Sequence, residues 1–291
     1  MRFTFVESMI DASFYVPLAQ RCEEVGFSSF AVPDSIIYPE HSDTRYPYTP
    51  DGKREFLEDK AVIDPFVLMS TMAAVTRTLR FYPFVYKLPV RQPVLVAKQA
   101  SSLAAMSNNR LSLGVGLSPW PEDYIACNEP WEKRGKRMDE MLQIMRGLLK
   151  GGFFHFEGEF YQIPSLKLCP VPTRPVPILI GGHADAALKR AAQYGDGWLH
   201  AGGNQEELEA LIKKLKYYLK EFGRNENTFE IHAISVDAFS LDGVKRMEDM
   251  GITDAVVGFH NTYALEQSAE PLDKKLRTIE GYANAIISRL K

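Results

Sequence analysis

The chain is poor in cysteine. Only Cys22, Cys127 and Cys169 occur among 291 residues. They are odd in number, far apart and without a Cys-x-x-Cys pairing, which excludes a disulfide framework and a thiolate metal knuckle. They read as structural thiols. Histidine is equally scattered: His41, His155, His183, His200, His232 and His260 form neither His-x-His nor His-Glu-x-x-His, so no single element offers a zinc site and no metal is expected. A Gly-x-Ser-x-Gly elbow is missing and no cysteine stands beside a suitable base, which removes nucleophilic hydrolysis. Positive charge is not in excess either. The 34 Lys and Arg against 37 Asp and Glu give a net charge of -3, too little to neutralise a nucleic-acid backbone. No run of about 18 apolar residues could span a bilayer, and the chain enters a patterned strand directly after Met1 with no apolar leader. The expected protein is soluble and cytoplasmic, with a small molecule as its partner rather than nucleic acid or membrane.

What is present is alternation. Short β-rich runs take turns with long amphipathic helical patterns, as repeated βα units require. Eight runs can be counted, at residues 2–6, 28–32, 79–85, 111–115, 176–180, 197–200, 229–237 and 254–258. After the fourth run, Met138, Met141, Leu142, Met145, Leu148 and Leu149 share one helix face. The sixth helix repeats this with Leu208, Leu211, Ile212, Leu215 and Leu219, and the last with Leu276, Ile279, Ala283, Ile286 and Leu290. Gly26, Gly195 and Gly251 each stand where a helix must stop before a strand, suggesting left-handed C-caps. An open doubly wound sheet has the same local signals. The count of eight favours closure, so the expected fold is α/β, a (β/α)8 TIM barrel spanning residues 1–291 as one domain. Two insertions interrupt it, after strands 2 and 4. Residues 33–60 hold Tyr38, Tyr46, Tyr48 and Phe56 among prolines; residues 151–177 cluster Phe153, Phe154, Phe156, Phe160 and Tyr161 around Gly158 like a small hairpin.

In such a barrel the chemistry sits where the strands end at the carboxyl face. Gly181, Gly182 and His183 form the strongest candidate: two glycines between a strand and a helix expose backbone N–H groups and a helix N-terminus, a natural phosphate cradle. A ligand-free tight turn needs the same glycines, and phosphate more often binds after the seventh and eighth strands than after the fifth. The run Leu113-Gly114-Val115-Gly116 is no dinucleotide fingerprint, because Pro119 replaces the third glycine and no helix is expected to open there. Trp120 shapes the rim. Glu7 or Asp34 could handle protons, although a carboxylate at a strand end is as often a cap or an ion-pair partner. With so few protein catalysts, an organic cofactor becomes the economical reading.

Several segments, in order, resemble the luciferase-like oxidoreductases, particularly the branch using the deazaflavin coenzyme F420. They are Val25-Gly26-Phe27, Val32-Pro33-Asp34, Asp64-Pro65-Phe66, the stretch from Leu88 to Gln99, Asn109 to Gly116, Arg134 to Glu140, Ile180-Gly181-Gly182 and Tyr194 to Trp198. The resemblance implies a tricyclic ring at the strand ends with its phosphate near the fifth strand. Gly181, Gly182 and His183 would then hold the phosphate, and Asp34, Ser35, Gly116, Leu117 and Ser118 would border the ring. Phe84 and Val85 fall where the family often has a non-proline cis peptide. Glu7 and His260 are the candidate catalytic acids; Tyr38, Tyr46, Tyr48 and Trp120 are the candidate substrate contacts. Two departures bear on chemistry. Ser35 stands where many deazaflavin members carry histidine, and Leu117-Ser118-Pro119 stands where sugar-phosphate oxidising relatives place a glutamate. The expected activity is hydride transfer between F420 and a small organic substrate. The alternatives are an FMN monooxygenase using reduced flavin and oxygen, and a flavin-binding protein without catalysis. Family members are often homodimers.

Overall fold

A computed structural model describes every residue except 48, 50, 267, 268 and 291. Tyr48, one of the expected substrate contacts, therefore lies outside the described residues. The strands are β1 (Arg2–Val6), β2 (Ser29–Val32), β3 (Arg80–Pro83), β4 (Tyr86–Lys87), β5 (Leu113–Gly116), β6 (Phe154–Glu157), β7 (Gln162–Leu166), β8 (Ile178–Gly181), β9 (Gly197–His200), β10 (Glu230–Ile234) and β11 (Asp254–Val257). All but β6 and β7 belong to one parallel sheet, in the order β3-β2-β1-β11-β10-β9-β8-β5-β4.

β3 and β4 are two halves of one barrel strand, separated by the cis Phe84–Val85 peptide. The two halves close the ring. β4 pairs with β5, Tyr86 opposite Val115, while Phe81 of β3 donates its N–H to Arg110 and accepts from the Ser112 N–H, at 2.8 and 2.9 Å. Gly114 makes that seam possible, since a Cβ there would lie 1.9 Å from the Pro83 carbonyl oxygen. The expected third run was thus continuous where the structure has a break.

The helices are α1 (Tyr15–Val25), α2 (Pro65–Val75), α3 (Pro93–Met106), α4 (Pro121–Ala126), α5 (Arg134–Lys150), α6 (Asp185–Tyr194), α7 (Gln205–Glu221), α8 (Leu241–Asp249) and α9 (Leu272–Ala285). Their starts are written in the sequence. Asp64 and Gln92 accept from the first free amides of α2 and α3, each followed by proline at the first helical position. Asn204 and Glu207 form a reciprocal capping box on α7. The expected faces of α5 and α7 pack inward, Leu211 remaining half-buried. On α9 the helix stops at Ala285, and Leu290 lies beyond it and exposed.

Three further expectations need correction. Gly26 and Gly251 have positive φ, but Gly195 has φ -85° and is no left-handed cap. Its glycine answers to space, because a Cβ would sit 2.8 Å from the Ala191 carbonyl. The seventh run is shorter than 229–237, since residues Val236–Phe239 turn into a 3-10 helix. A helix does open after the Gly114–Gly116 region: α4, with proline at its first position. The expected hairpin is present as β6 and β7, antiparallel around the turn at Gly158.

Two apolar clusters follow from the alternation of strand side chains. The large one lies between the sheet and the surrounding helices. The small one, Ala31, Tyr82, Leu179 and Leu199 with Val6, Phe84 and Val85 against it, fills the lumen.

Candidate active site

The floor of the carboxyl mouth is built around Val85. A Cβ on Gly116 would come within 2.7 Å of Val85 Cγ2, and one on Gly181 within 2.6 Å of Cγ1. Two strands therefore end in glycine because a branched side chain lies across both. Gly181 has a packing reason to be glycine, independent of any ligand. Gly182 has φ +123°, and its carbonyl accepts from the Trp198 indole N–H at 2.9 Å. The turn leads into α6, whose N-cap, Ala184, offers no side-chain cap. The first amides of α6 are thus left for another acceptor.

At the ends of β1 and β11 the chain brings Glu7 and His260 together. His260 Nδ1 lies 2.7 Å from Glu7 Oε1, and Lys275 Nζ from α9 lies 3.1 Å from Oε2. Glu7 is 3% exposed. Burial alone would raise its carboxyl, but the hydrogen bond and charge of His260, with those of Lys275, hold it below the usual carboxylate range. His260 also lines a cavity of about 340 Å³ with Met9, Lys60, Asn261 and Thr262.

On the opposite side of the mouth His183 stacks on His200, ring centroids 4.7 Å apart and planes 13° apart. His183 Nε2 accepts from the Ala201 N–H at 3.2 Å. Burial, with His183 beside it, pushes His200 down to about 4, so this ring is neutral at physiological pH. Neither nitrogen of His200 has a hydrogen-bond partner among the described residues.

Over the mouth lies an aromatic roof. Tyr46 stacks on Trp120 with centroids 5.0 Å apart and touches Phe56 and Tyr263. Arg54 lies 4.0 Å over the Trp120 ring and 3.4 Å from Glu122. The insertion after β2, the segment after β5 and the loop after β11 are joined here. Lys60 strengthens the joint by donating to the carbonyls of Ala264 and Glu266.

The nine-stranded sheet is parallel throughout, and Glu7, His183, His200 and His260 stand at or just beyond the carboxyl ends of its strands. A family model of luciferase-like monooxygenases matches residues 6–280. The chain belongs to the luciferase-like monooxygenase family. An uncharacterized protein of Mycobacterium tuberculosis is 54% identical over 290 residues, covering 100% of both chains. Among solved structures, monooxygenase RslO1 from Streptomyces bottropensis superposes with a TM-score of 0.78 at 16% identity over 100% of both chains. The coenzyme F420 dependent tetrahydromethanopterin reductase from Methanopyrus kandleri does so with a TM-score of 0.75 at 15% identity, over 100% of this chain and 99% of that one. At these identities the two structures establish the fold.

Within this luciferase-like barrel the expected site residues divide. Glu7 and His260 meet, Gly181, Gly182 and His183 share one turn, and Gly116 joins Gly181 against Val85. Asp34 is held in place by its neighbours: its carboxylate accepts from both Arg91 amino groups, at 2.7 and 2.8 Å, and from the Lys87 N–H at 2.8 Å. Ser35, next to it, is half-buried, as is Leu117 beside Ser118. The Ser118 hydroxyl donates to Asp123 at 2.5 Å and accepts from the Trp120 N–H. It shapes the turn that carries Trp120. Tyr38 is 37% exposed at the edge of the roof.

Arg54, Arg91, Tyr263 and Lys275 were missed by the sequence reading. For Lys275 a signal existed: it falls on the same face of α9 as Ile279, Tyr282 and Ile286, where a charged residue needs a buried partner. Arg54 and Tyr263 sit in irregular segments with no periodicity to mark them. The absence of His-x-His spacing also concealed a convergence. Glu230, His232 and Asp254 place three ligand atoms within 4.8 Å at the amino end of the barrel, but the Arg2 guanidinium already lies against both carboxylates.

Proposed function

We propose that the protein is an oxidoreductase that transfers hydride between a ring cofactor of the deazaflavin type and a small organic substrate at the barrel mouth. The observation that carries this reading is the Glu7–His260 pair, in which His260 Nδ1 lies 2.7 Å from the buried Glu7 carboxylate while the ring borders a cavity. Such chemistry moves a proton with each hydride, and the Glu7–His260 pair is placed to handle it.

The residues fit a phosphate-bearing tricycle. The α6 N-terminus lacks a side-chain cap, and its amides with the Gly182 turn suit a phosphate. Val85, Gly116 and Gly181 present a low floor of backbone and one branched side chain against which a flat ring can lie. When bound, the ring would supply the hydride chemistry. The chain's own part is to orient the substrate beneath Tyr46 and Trp120, to exclude water with the roof, and to hold or accept a proton at the His260 ring.

One observation favours the second reading, an FMN monooxygenase. A deazaflavin carries an acidic tail that a basic track should receive, yet Lys87, Lys189 and Arg190 are already paired with Asp123, Asp185 and Asp139. A purely carrier role has no use for the Glu7–His260 pair. Equilibrium binding of FMN and of the deazaflavin to the purified protein, followed by oxygen uptake with whichever binds, tests all three. Tight FMN binding with substrate-dependent oxygen consumption overturns hydride transfer; no binding of either ring overturns the cofactor reading.

We also propose that the working protein is a homodimer joined through α2 and α3. α2 contains no charged residue, and Val67, Leu95 and Met106 of the two helices are exposed. Val67→Asp should then shift the mass measured by light scattering from dimer to monomer, and a monomeric parent protein would refute the assembly.

A further inference from the structure

The cations around the mouth are of two kinds. Arg54, Lys87, Arg91 and Lys275 each face a carboxylate, at 3.4, 2.7, 2.7 and 3.1 Å. Lys60 does not. Its ammonium donates to the carbonyl oxygens of Ala264 and, at 3.1 Å, of Glu266, and it makes no ion pair with a carboxylate among the described residues. Two carbonyls satisfy two of its three N–H groups but leave its charge unmatched. Burial pulls the ammonium below the ordinary lysine value, and no neighbouring acid counters that shift.

This lysine lines the same cavity of about 340 Å³ as His260, a volume at the small end of ligand sites. Asn261, also in the wall, turns its Oδ1 back to the Tyr263 N–H at 3.0 Å, which leaves its NH2 as the end for a ligand. Glu266 is the one acid among the described lining residues. It is exposed, so water screens its carboxylate, and it meets Lys60 through its backbone carbonyl. Glu7 is not among the lining residues, and its carboxylate is taken up by His260 and Lys275.

We propose that this cavity receives the anionic end of the substrate, that Lys60 is the residue which selects it, and that the substrate class is a small monocarboxylate. The described wall offers one ammonium, which matches a single negative charge. A phosphate dianion is met by several donors, such as arginine forks or the amides of a helix start. A carboxylate held at Lys60 leaves the rest of the molecule beside His260. The inference rests on the reading of the mouth as the place of reaction, but binding of the acid needs no ring cofactor and is measured without one.

The experiment compares acids with their uncharged amides on the purified full chain by ligand-observed NMR. The pairs are acetate and acetamide, benzoate and benzamide, and phenylacetate and phenylacetamide, with phenyl phosphate as the dianion. At least one acid should bind the parent protein about tenfold more tightly than its amide, and about 0.5 M salt should shrink the preference. Lys60→Met should bring acid and amide to equal affinity, and Lys60→Arg should keep them apart. The ratio separates charge from scaffolding, because a loosened loop would weaken both members of a pair together. Glu266→Gln should tighten the acid by about two- to threefold and leave the amide unchanged. The proposal is overturned if no acid outbinds its amide, or if the preference survives Lys60→Met. Phenyl phosphate binding more tightly than phenylacetate overturns the monocarboxylate class. Should Lys60→Met fail to fold, Glu266→Gln decides in its place, an unchanged acid affinity overturning the proposal. If the preference appears and neither ring cofactor binds, the anion site stands and the oxidoreductase reading falls; if a ring cofactor binds and no preference appears, this inference falls alone.

Discussion

The two ends of the barrel treat buried charge differently. At the amino end, Arg2 Nη2 lies 2.6 Å from Asp254 and 3.2 Å from Glu230; His232 lies 2.8 Å from Glu230 through Nε2 and 3.0 Å from the Tyr82 hydroxyl through Nδ1. Arg80 closes the group at 3.5 Å from Glu230. At the mouth, Arg54 Nη2 and Glu122 Oε2 meet only each other, at 3.4 Å, and Asp123 Oδ1 and both His200 nitrogens are buried without a hydrogen-bond partner among the described residues. Unmatched buried polar atoms cost roughly 1–3 kcal/mol each, so natural chains keep them where they serve a ligand or a reaction. Thr4 Oγ1 and Ser29 Oγ on β1 and β2 are unpartnered among the described residues as well. What sets the amino end apart is therefore that its charged groups are gathered into one network, while those of the mouth, the side of a barrel where chemistry is placed, stand in separate small groups.

The comparison breaks most readily at His260. His260→Ala should lower turnover by about 10²–10⁴-fold, the range for loss of a general acid or base, with little change in thermal unfolding. Unchanged turnover would remove the chemistry from this side of the mouth. The converse variant is Asp254→Asn, which leaves Arg2 and His232 short of an anion. It should cost on the order of 3 kcal/mol in chemical denaturation, near the low end for a broken buried pair because Arg2 is 39% exposed. Cofactor affinity should not change. A variant that weakened binding as much as stability would mean that the two ends are not separable.

A pH series sharpens the same contrast. Burial pushes the Glu230 carboxyl up, but the hydrogen bond from His232 and the charges of Arg80, His232 and Arg2 bring it down to about 2. Its folded value lies below its unfolded one, so its contribution is complete above the ordinary carboxylate value and is lost as pH falls toward about 2. The full difference is worth about 3 kcal/mol. Glu230→Gln should flatten that part of the stability profile. An identical acid limb in parent and variant would show that the network contributes nothing.

Much of the fold was legible because periodicity and capping are local. The eight runs, the inward stripes of α5 and α7 and the capped starts of α2 and α3 all follow from spacing within a few residues. What was not legible depends on approach across the barrel. Gly195 looks like a helix cap but is glycine because Ala191 is close. Asp34 looks like a free strand-end acid but meets Arg91, 57 residues away. Glu7 and His260 could each be proposed from their strand ends, while their contact and its third member, Lys275, required closure of β1 against β11. The phosphate turn teaches the same lesson in reverse, since Gly181 drew attention as a cradle and the barrel gives it a second reason to be glycine.

That second reason permits the smallest test. In Gly181→Ala the new methyl would enter the space of Val85 Cγ1, 2.6 Å away, and overpacking of this kind costs about 1–3 kcal/mol. Loss of cofactor affinity in this variant would therefore be ambiguous, since the floor itself would shift. Combining it with Val85→Ala removes the clash and should return most of the lost stability, measured as a coupling in a double-mutant cycle of unfolding free energies. If stability returns and cofactor affinity returns with it, Gly181 acts through the floor. If stability returns while affinity stays low, the methyl is blocking the phosphate turn itself. Additive costs in the cycle would mean that Val85 and residue 181 do not touch, and the floor of the mouth would have to be built differently.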